Sequence, residues 1–418
     1  MYLKLLEKHL KDGALTLHLP TGETRAVGAG RPLVDWHLHK PGTLGRIIRN
    51  PELNLGETYM DGEWSAGEGQ LPALLGLLMR NNAEPQDNWL QRQLVRLLGP
   101  LRTWNPVRRS YRNVARHYDL DEWLFRQFLD QDMHYSCAYF PEPDISLEEA
   151  QRAKCRHLRN KLRLHSGQRV LDIGSGWGSL GMYLAERSDV RVTGLTLSRE
   201  QLQSANRRAR ERGLKGAVQF KLEDYREHRG RYDRVVSVGM FEHVGRAHYR
   251  PFFDKVRDLL SEDGVAVIHT IGRTSPDAGV NPWIHRHIFP GGYIPSLSEI
   301  MRAVEGSGLI AADVEVLRLH YAYTLAAWQA RFQKVRPRVA QRMGERFCRM
   351  WEFYLASCEN AFRWRDLVVF QVQVSRRLKA VPITRSYLYR SSEQAPPEVN
   401  AALRSYTFDR HHPTRDPD

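Results

Sequence analysis

Short apolar runs alternate with stretches of helical periodicity through the second half of the chain, and this alternation is its clearest pattern. Val170 to Ile173 is an apolar run of strand length, and the apolar positions of the following SLGMYLAER have helical spacing. Further strand-like runs are Val190 to Leu195, Val218 to Leu222, Asp233 to Val238, Gly264 to Ile271, Ala312 to Leu319 and Val368 to Val374. Strands that alternate with helices in this way predict an α/β domain with a Rossmann-like, doubly wound sheet of about seven strands.

Polar residues at the spacing of helix caps mark the start of several of these helices. A serine followed three residues later by Glu or Gln satisfies free amides in the first helical turn. The pairs are Ser146 with Glu149, Ser198 with Gln201, and Ser296 with Glu299. The first pair predicts a helix that continues to about Leu162. Periodicity alone predicts helices over most of His117 to Phe140, about His248 to Leu260, and roughly Tyr323 to Lys334 and Val339 to Phe362.

The chain divides by composition into four parts. Residues 1 to about 85 carry strand-like pieces such as ALTLHLP between glycines and prolines, which predicts a smaller α/β N-terminal domain. Within it, LPALLGLLMRNN predicts an apolar helix that packs on a neighbour or on lipid. Residues 86–116 form a basic linker, 117–380 form the sheet domain, and 381–418, with five prolines, form an extended or disordered tail.

The first predicted strand of the large sheet is followed by a glycine-rich turn, RVLDIGSGWG, at Arg169 to Gly178. Glycine lets the backbone come close to a ligand, and the helix that follows offers free amides. The spacing is G-x-G-x-G after Asp172, at Gly174, Gly176 and Gly178, and not the G-x-G-x-x-G that binds a pyrophosphate. It favours a nucleoside without a phosphate, of which S-adenosylmethionine (AdoMet) is the commonest. A tight turn without a ligand is the alternative.

Polar side chains follow the other predicted strands, and in an open α/β sheet a ligand binds at these carboxyl ends. Thr196 stands where a ribose-binding acid is usual, and Gln201 serves either a ligand hydroxyl or only its helix cap. Asp224 offers a carboxylate to an adenine amine, beside the ring of Tyr225. The fourth predicted strand is followed by Glu242 and His243. The fifth ends in a segment that contains His269 and Ile271.

Charge and motifs narrow the class of protein. The net charge is +14, and seven arginines without an acid lie between Leu90 and Tyr118. A second basic cluster runs from Arg331 to Arg349. Arginine with tryptophan and leucine suits an anionic bilayer surface, and a solvated linker and helix face are the alternative. Nucleic-acid motifs are missing, no nucleophile elbow supports a hydrolase, and the pair His285 and His287 has no apparent third metal ligand.

The remaining composition bears on location. The chain contains no apolar run of about 18 residues and no signal-peptide pattern at its start. Its four cysteines lie far apart and form neither a C-x-x-C motif nor a metal spacing. We therefore expect free thiols in a reducing cytoplasm.

Seven segments between His117 and Arg376 are distinctive enough to compare with known enzymes. They are HYDL…FLDQDMHYSCAYF, LDIGSGWGS, GLTLSREQ, SVGMFEHVG, IHTIG, FPGGYIPSL and HYAYTLAAW. Together they resemble the cyclopropane-fatty-acyl-phospholipid synthase family of AdoMet-dependent, class I methyltransferases. LGETYMDGEW resembles a segment of the N-terminal domain of the bacterial synthases. The glycine motif alone fits any class I methyltransferase, whereas YSCAYF with FEHVG and IHTIG is specific.

The resemblance implies a cofactor site and a catalytic set. AdoMet would be held by Gly174, Gly176, Thr196, Gln201, Asp224 and Tyr225, with Tyr135 and Ser136 closing over it. Members of the family also bind a bicarbonate ion, for which the matching positions here are Cys137, Glu242, His269, Ile271 and Tyr321. The resemblance further implies a homodimer.

The expected reaction is methylene transfer from AdoMet to the cis double bond of an unsaturated phospholipid acyl chain, which gives a cyclopropane. An alkene is a poor nucleophile, so the sulfonium methyl group must lie close and in line with it. The resulting carbocation needs a dry pocket with aromatic faces. A bicarbonate held by His269 and Tyr321 and oriented by Glu242 would remove the proton, or Glu242 itself would do so.

Three alternatives stay open at this point. Proton loss from another carbon would give a methylene- or methyl-branched chain. Methylation of a small amine is opposed by the N-terminal domain and the basic clusters, and a non-catalytic lipid-binding role is opposed by the intact site. The expected location is cytoplasmic and peripheral at the inner membrane face, with the N-terminal domain and the basic linker on an anionic bilayer.

Overall fold

A computed structural model describes residues 2–81, 122–275 and 281–389, with side chains from residue 6 onward. The basic linker 86–116 and most of the predicted tail 381–418 lie outside these ranges. By their internal contacts, residues 1–381 form one compact unit and residues 382–418 a second. In the second unit, a single 3₁₀ turn covers Arg385–Leu388 within the described residues.

The N-terminal residues fold around a small mixed sheet. Their elements are α1 (Tyr2–His9), β1 (Gly13–His18), β2 (Thr24–Ala29), β3 (Leu33–Leu38), α2 (Thr43–Arg49), α3 (Pro51–Met60), β4 (Trp64–Ala66) and α4 (Leu71–Asn81). The strands lie in the order β2-β1-β3-β4, with β1 antiparallel to β2 and parallel to β3. The predicted strand ALTLHLP thus corresponds to β1. The division of the chain at about residue 85 stays a prediction.

The rest of the described chain is built on a seven-stranded sheet. Its elements are α5 (Glu122–Phe128), α6 (Leu147–Leu162), β5 (Arg169–Ile173), α7 (Ser179–Ser188), β6 (Arg191–Thr196), α8 (Arg199–Glu211), β7 (Val218–Leu222), β8 (Tyr232–Val238), α9 (Tyr249–Leu259), β9 (Leu260–Arg273), α10 (Pro282–His287), α11 (Leu297–Ser307), β10 (Ile310–Leu317), α12 (His320–Met343), α13 (Glu345–Trp364) and β11 (Leu367–Ser375).

The order of these strands is β10-β11-β9-β8-β5-β6-β7. Neighbours are parallel except at β11, which is antiparallel to both β9 and β10. The predicted seven-stranded α/β fold is therefore confirmed. Because β5 lies between β6 and β8, the strand order reverses there, and a ligand crevice is expected at its carboxyl end.

The predicted helix caps are present where the structure describes them. Ser146 with Glu149 and Ser296 with Glu299 form complete capping boxes. Ser198 accepts a hydrogen bond from the backbone N–H of Gln201. These local side-chain bonds fix where α6, α8 and α11 begin, and α6 ends at Leu162 as expected.

Two helix predictions are wrong in their extent. In the described part of His117 to Phe140, only Glu122–Phe128 is helical, because the Asp130 carboxylate accepts the backbone N–H of His134 (2.8 Å) and closes a turn there. Met133 inside that turn has a φ of 58°. The two helices before β11 are divided at Gly344, whose φ is 87°, and not near Pro337, which lies inside α12.

Helices α12 and α13 join the N-terminal sheet region to the large sheet. Helix α13 packs on α3 and α4, and the Asn360 amide donates to the Pro72 carbonyl (2.9 Å). About two turns earlier on α13, the Tyr59 hydroxyl donates to Glu352 Oε1 (2.6 Å), and Arg336 pairs with the same carboxylate (2.8 Å). The apolar helix predicted at LPALLGLLMRNN, now α4, therefore packs on a neighbour within the chain.

The second basic cluster makes many contacts within the protein. Arg331 pairs with Glu148 (2.6 Å), Arg346 pairs with Asp61 (3.2 Å), and Arg342 lies over the ring of Trp123. These contacts explain part of the cluster without a partner. In the residues that the structure describes, no helix has the length and apolar character of a membrane span.

Candidate active site

Two neighbouring cavities lie at the carboxyl end of β5. The first has a volume of about 920 Å³, which includes solvent at its mouth, and the second has about 430 Å³. Their linings share the residues Tyr135, Gly174, Gly176, Trp177 and Val238. The glycine turn is thus common to both, so a ligand that passes the turn can occupy the two cavities together.

The glycine turn is built as its spacing predicts. Gly174, Gly176 and Gly178 all have positive φ, a conformation that side chains disfavour. A Cβ on Gly174 would come within 2.8 Å of the Cβ of Met240, so the turn meets the segment that follows β8. A Cβ on Gly178 would come within 2.5 Å of the Phe220 ring. Gly178 caps the start of α7 and lines neither cavity.

The first cavity contains the polar residues expected for a nucleoside. Thr196 and Gln201 line it, and the Thr196 hydroxyl donates to Gln201 Oε1 (2.9 Å). The backbone N–H of Gln201 donates to the Ser198 side chain at the helix cap, whereas the Gln201 side chain accepts from Thr196 in the cavity wall. Sequence reasoning did not name Trp177 and Met240, although both lie within the quoted segments LDIGSGWGS and SVGMFEHVG.

Asp224 and Tyr225 also line the first cavity, together with a residue that was not predicted. Arg226 holds the Asp224 carboxylate through two bonds, from Nε (2.8 Å) and from Nη2 (2.7 Å), and its guanidinium lies 5.7 Å from the Tyr225 ring centre. Burial raises the pKa of Tyr225, so its ring is a neutral, apolar surface at physiological pH.

The second cavity has charged residues in its wall. It is lined by Ser136 and Asp172, as predicted, and by Lys154 of α6, which sequence reasoning missed. Lys154 Nζ donates to the Ser136 hydroxyl (2.9 Å). Burial raises the pKa of Asp172 to about 7, and the charge of Lys154 opposes this shift.

Glu242 lies in a short 3₁₀ turn directly after β8. Its Oε1 accepts the backbone N–H of Ile271 at 2.5 Å, so the carboxylate is attached to the end of β9. Burial raises the pKa of Glu242 to about 7, and the Ile271 N–H opposes this shift. Glu242 Oε2 is buried without a hydrogen-bond partner among the described residues. A carboxyl group of this kind can exchange a proton near neutral pH.

His269 and Cys137 are neutral groups. The side-chain amide of Gln371 donates to His269 Nδ1 (3.1 Å), and burial lowers the pKa of His269 to about 3. Burial also raises the pKa of the Cys137 thiol. Next to Cys137, the backbone N–H of Ala138 donates to the hydroxyl of Thr324, one turn beyond Tyr321 on α12.

Aromatic rings pack together near the predicted catalytic residues. Trp328 stacks on Tyr135 at 5.2 Å and meets the edge of Tyr321 at 5.9 Å between ring centres. The hydroxyls of Tyr135 and Tyr354 lie 2.8 Å apart. Cys137 belongs to the hydrophobic cluster against which Tyr321 and Ile271 also pack. Of the five predicted catalytic positions, Glu242 bonds to Ile271, and His269 lies two residues before Ile271 on β9. Cys137, Tyr321 and Ile271 belong to or pack against the same large cluster, and none of the five lines either of the two cavities.

Comparison with known proteins identifies the family. The model of the mycolic acid cyclopropane synthetase family matches residues 106–372, which include the whole glycine turn and most of the large sheet. Cyclopropane-fatty-acyl-phospholipid synthase from Escherichia coli (strain K12) is 39% identical over 352 residues, or 84% of this chain and 90% of that protein. The chain belongs to this family. It is an enzyme of the class I AdoMet-dependent methyltransferases.

A second relative and a solved structure are also similar to this chain. Tuberculostearic acid methyltransferase UfaA1 of Mycobacterium tuberculosis is 37% identical over 375 residues, or 85% of this chain and 87% of that protein. The crystal structure of mycolic acid cyclopropane synthase CmaA1, complexed with SAH (S-adenosylhomocysteine) and CTAB, matches with a TM-score of 0.61 and 34% identity. It covers 65% of this chain and 99% of that chain.

Outside this family site, the predicted His-x-His pair has a structural partner. His287 Nε2 lies 2.9 Å from Glu57 Oε1, which ties α10 to α3. His285 accepts the backbone N–H of Gly291 (3.1 Å). In the part of the chain that the structure describes, no cluster of three or more His, Cys, Asp and Glu could hold a metal ion.

Proposed function

We propose that this enzyme transfers a methylene group from AdoMet to the cis double bond of unsaturated phospholipid acyl chains and forms cyclopropane fatty acids. The observation that carries the proposal is that Tyr135, Ile271 and Tyr321 pack against the buried hydrophobic cluster that contains Cys137, and that Tyr135 also lines both cavities. This cluster gives an acyl chain a dry surface next to the donor. The E. coli synthase, 39% identical over 84% of this chain, supports the same substrate class.

AdoMet would lie in the two cavities with its adenosine in the first. Thr196 and Gln201 would bind the ribose hydroxyls, Asp224 would accept from the adenine amine, and the Tyr225 ring would lie against the base. The methionine part of AdoMet would run past Gly174 and Gly176 into the second cavity. The match to the CmaA1 structure that contains SAH supports this placement.

The reaction forms one bond and breaks another before a proton leaves. The alkene carbon attacks the sulfonium methyl group, the C–S bond breaks, and S-adenosylhomocysteine departs with its electron pair. The carbocation left on the acyl chain is stabilised by a water-free site and by the faces of Tyr135, Tyr321 and Trp328. Loss of a proton from the new methyl group then closes the ring, so the site must hold a base.

The residues present fit a bicarbonate ion as that base. Glu242 has a buried oxygen without a partner among the described residues, and neutral His269 and the Tyr321 hydroxyl carry hydrogen-bond donors. When bound, bicarbonate supplies an oxygen base at neutral pH. Glu242 would orient it, and Cys137 and Ile271 would complete the pocket wall.

We further propose that the enzyme works at the cytoplasmic face of an anionic membrane, as a homodimer. The arginine-rich segment 86–116 would provide the electrostatic attraction, and the N-terminal residues would admit an acyl chain. Binding to phosphatidylglycerol vesicles should weaken steeply as salt rises, and light scattering should give the mass of a dimer. Salt-independent binding would contradict the electrostatic account.

The decisive experiment is product analysis. The enzyme is incubated with AdoMet and vesicles of an unsaturated phospholipid, and the fatty acids are hydrogenated and analysed by mass spectrometry. A cyclopropane keeps its ring in this treatment, whereas a methylene-branched isomer of equal mass becomes a saturated branched chain. UfaA1, 37% identical over 85% of this chain, favours methyl branching as the second candidate. Branched products alone would contradict cyclopropanation.

A further inference from the structure

The second cavity contains an unusual lysine. Lys154 lies on α6 with a side chain that is 1% exposed, and it lines the cavity beside Ser136 and Asp172. Burial of an ammonium group is costly unless opposite charge compensates for it. Yet within the described residues Lys154 makes no ion pair, and its recorded hydrogen bond is to the uncharged Ser136 hydroxyl (2.9 Å).

A second buried lysine on the same helix provides the contrast. Lys161 is 0% exposed and pairs with Glu315 Oε2 (2.6 Å) and Asp313 Oδ1 (3.8 Å). Here the fold itself supplies the carboxylates, and Lys161 lines neither of the two cavities. The charge of Lys161 is therefore compensated from within the chain, whereas Lys154 faces a cavity.

The opposite charge in that cavity, Asp172, lies near enough to Lys154 to act on its pKa, but within the described residues the two form no ion pair. Asp172 is 2% exposed, and its Oδ2 has no hydrogen-bond partner in the described part of the chain. The wall of one cavity thus carries an ammonium group, a hydroxyl and a carboxylate. A ligand that satisfies all three needs a carboxylate and an ammonium group of its own. An α-amino acid group has this composition.

We infer that Lys154 binds the α-carboxylate of the methionine part of AdoMet, together with Ser136, while Asp172 receives its α-ammonium group. The inference rests on the proposed AdoMet site, in which the adenosine occupies the first cavity. From there the shared glycine turn leads into the second cavity, where the amino acid end arrives between the two charges. AdoMet and S-adenosylhomocysteine carry the same group and would be held alike.

Neighbouring charges are consistent with a protonated Lys154 in the complex. Burial lowers the pKa of Lys154, and the carboxylates of Asp130 and Asp172 act in the opposite direction. A ligand carboxylate would also raise the pKa of Lys154. Lys154 would therefore hold its proton most firmly when the ligand is bound.

Three nucleoside ligands separate this role from a purely structural one. S-adenosylhomocysteine carries both charged groups, decarboxylated AdoMet carries only the ammonium group, and 5′-methylthioadenosine carries neither. Their affinities are measured by calorimetry for the full-length wild-type enzyme, for Lys154→Met, and for Lys161→Met as the matched loss of a buried lysine on the same helix.

Lys154→Met should weaken S-adenosylhomocysteine binding by about 10- to 100-fold, the range of one buried charged hydrogen bond. Its affinity for decarboxylated AdoMet and for 5′-methylthioadenosine should stay within about twofold of the wild type. Lys161→Met should not change the ratio of the three affinities. Binding of 5′-methylthioadenosine also reports that each variant is folded.

Two outcomes would overturn the inference alone. One is an equal loss of all three ligands in Lys154→Met, which would mean that the lysine only supports the fold. The other is a wild-type enzyme that binds S-adenosylhomocysteine no more tightly than 5′-methylthioadenosine. A wild-type enzyme that binds none of the three would overturn the proposed AdoMet site and this inference with it.

Discussion

Glu242 Oε1 accepts the backbone N–H of Ile271 at 2.5 Å, and this bond joins the turn after β8 to the end of β9. One carboxylate oxygen is thereby fixed, while Oε2 is buried without a partner among the described residues. The side chain is held in position with one oxygen free for a ligand. This arrangement suits a group that positions a base or acts as one.

Replacing Glu242 by Gln should abolish most turnover and spare AdoMet binding. The amide keeps the shape of the side chain and loses the negative charge, so we expect turnover on phospholipid vesicles to fall by at least about 100-fold. Affinity for S-adenosylhomocysteine, measured by calorimetry, should remain near the wild-type value because Glu242 is not among the residues that line the two cavities. Wild-type turnover in Glu242→Gln would refute the role.

The same variant should change how stability depends on pH. The pKa of Glu242 is raised from 4.5 to about 7 by burial, so between these values the folded protein retains a proton that the unfolded chain has lost. The group therefore costs stability as the pH rises through this window, by about 3 kcal/mol at its end. Glutamine does not ionise and has no such cost.

Urea unfolding at about pH 5 and about pH 8 measures this difference. The free energy of unfolding of Glu242→Gln should rise relative to the wild type between the two conditions. A constant difference, or one that moves the other way, would mean that Glu242 titrates near its ordinary pKa.

Replacing Tyr354 by Phe should loosen the wall of the proposed AdoMet site. The variant removes the partner of the Tyr135 hydroxyl, 2.8 Å away, and should lower the free energy of unfolding by about 1 kcal/mol. The matched control is Tyr249→Phe, because the buried Tyr249 hydroxyl has no partner among the described residues. Thermal and urea unfolding of both variants test this, and equal losses would contradict it.

Replacing Gly56 by Ala should destabilise the contact between α3 and α10. A Cβ at Gly56 would come within 2.4 Å of Nε1 and 2.6 Å of Cδ1 of the buried Trp283. Overpacking of this kind costs about 1–3 kcal/mol, which urea unfolding can resolve. Adding Trp283→Leu should recover part of the loss. The double variant should therefore lose less free energy of unfolding than the two single variants lose together. Strict additivity would contradict a direct clash.

Sequence patterns located the large sheet closely because its central strands, such as β5 and β8, are largely apolar runs that the fold buries. The run Val218 to Leu222 coincides with β7. Capping boxes worked equally well, since Ser146 and Glu149 bond to each other's backbone and need no distant partner. Errors arose where a side chain acts against periodicity, as when Asp130 closes a turn after Phe128.

The sequence predicted those residues of the candidate site that lie in local motifs, and it did not predict the others. Glu242 and Ile271 stood out because each follows or ends a predicted strand. Lys154 did not, because a lysine in a charged helix looks solvated until the fold places it beside Ser136 and Asp172. Gln371, 102 residues from His269 in sequence, had no local signal either. Contacts between remote segments depend on how the helices and strands pack, which periodicity does not encode.

Helix α13 forms part of two interfaces at once. Glu352 meets Tyr59 of the N-terminal region, and Tyr354, two residues further on, meets Tyr135 in the cavity wall. A fragment lacking residues 1–81 would lose the Tyr59 bond to Glu352. This would expose one face of α13, next to the residue that contacts Tyr135 in the cavity wall. We therefore expect truncation at the N-terminus to disturb the proposed active site through this one helix.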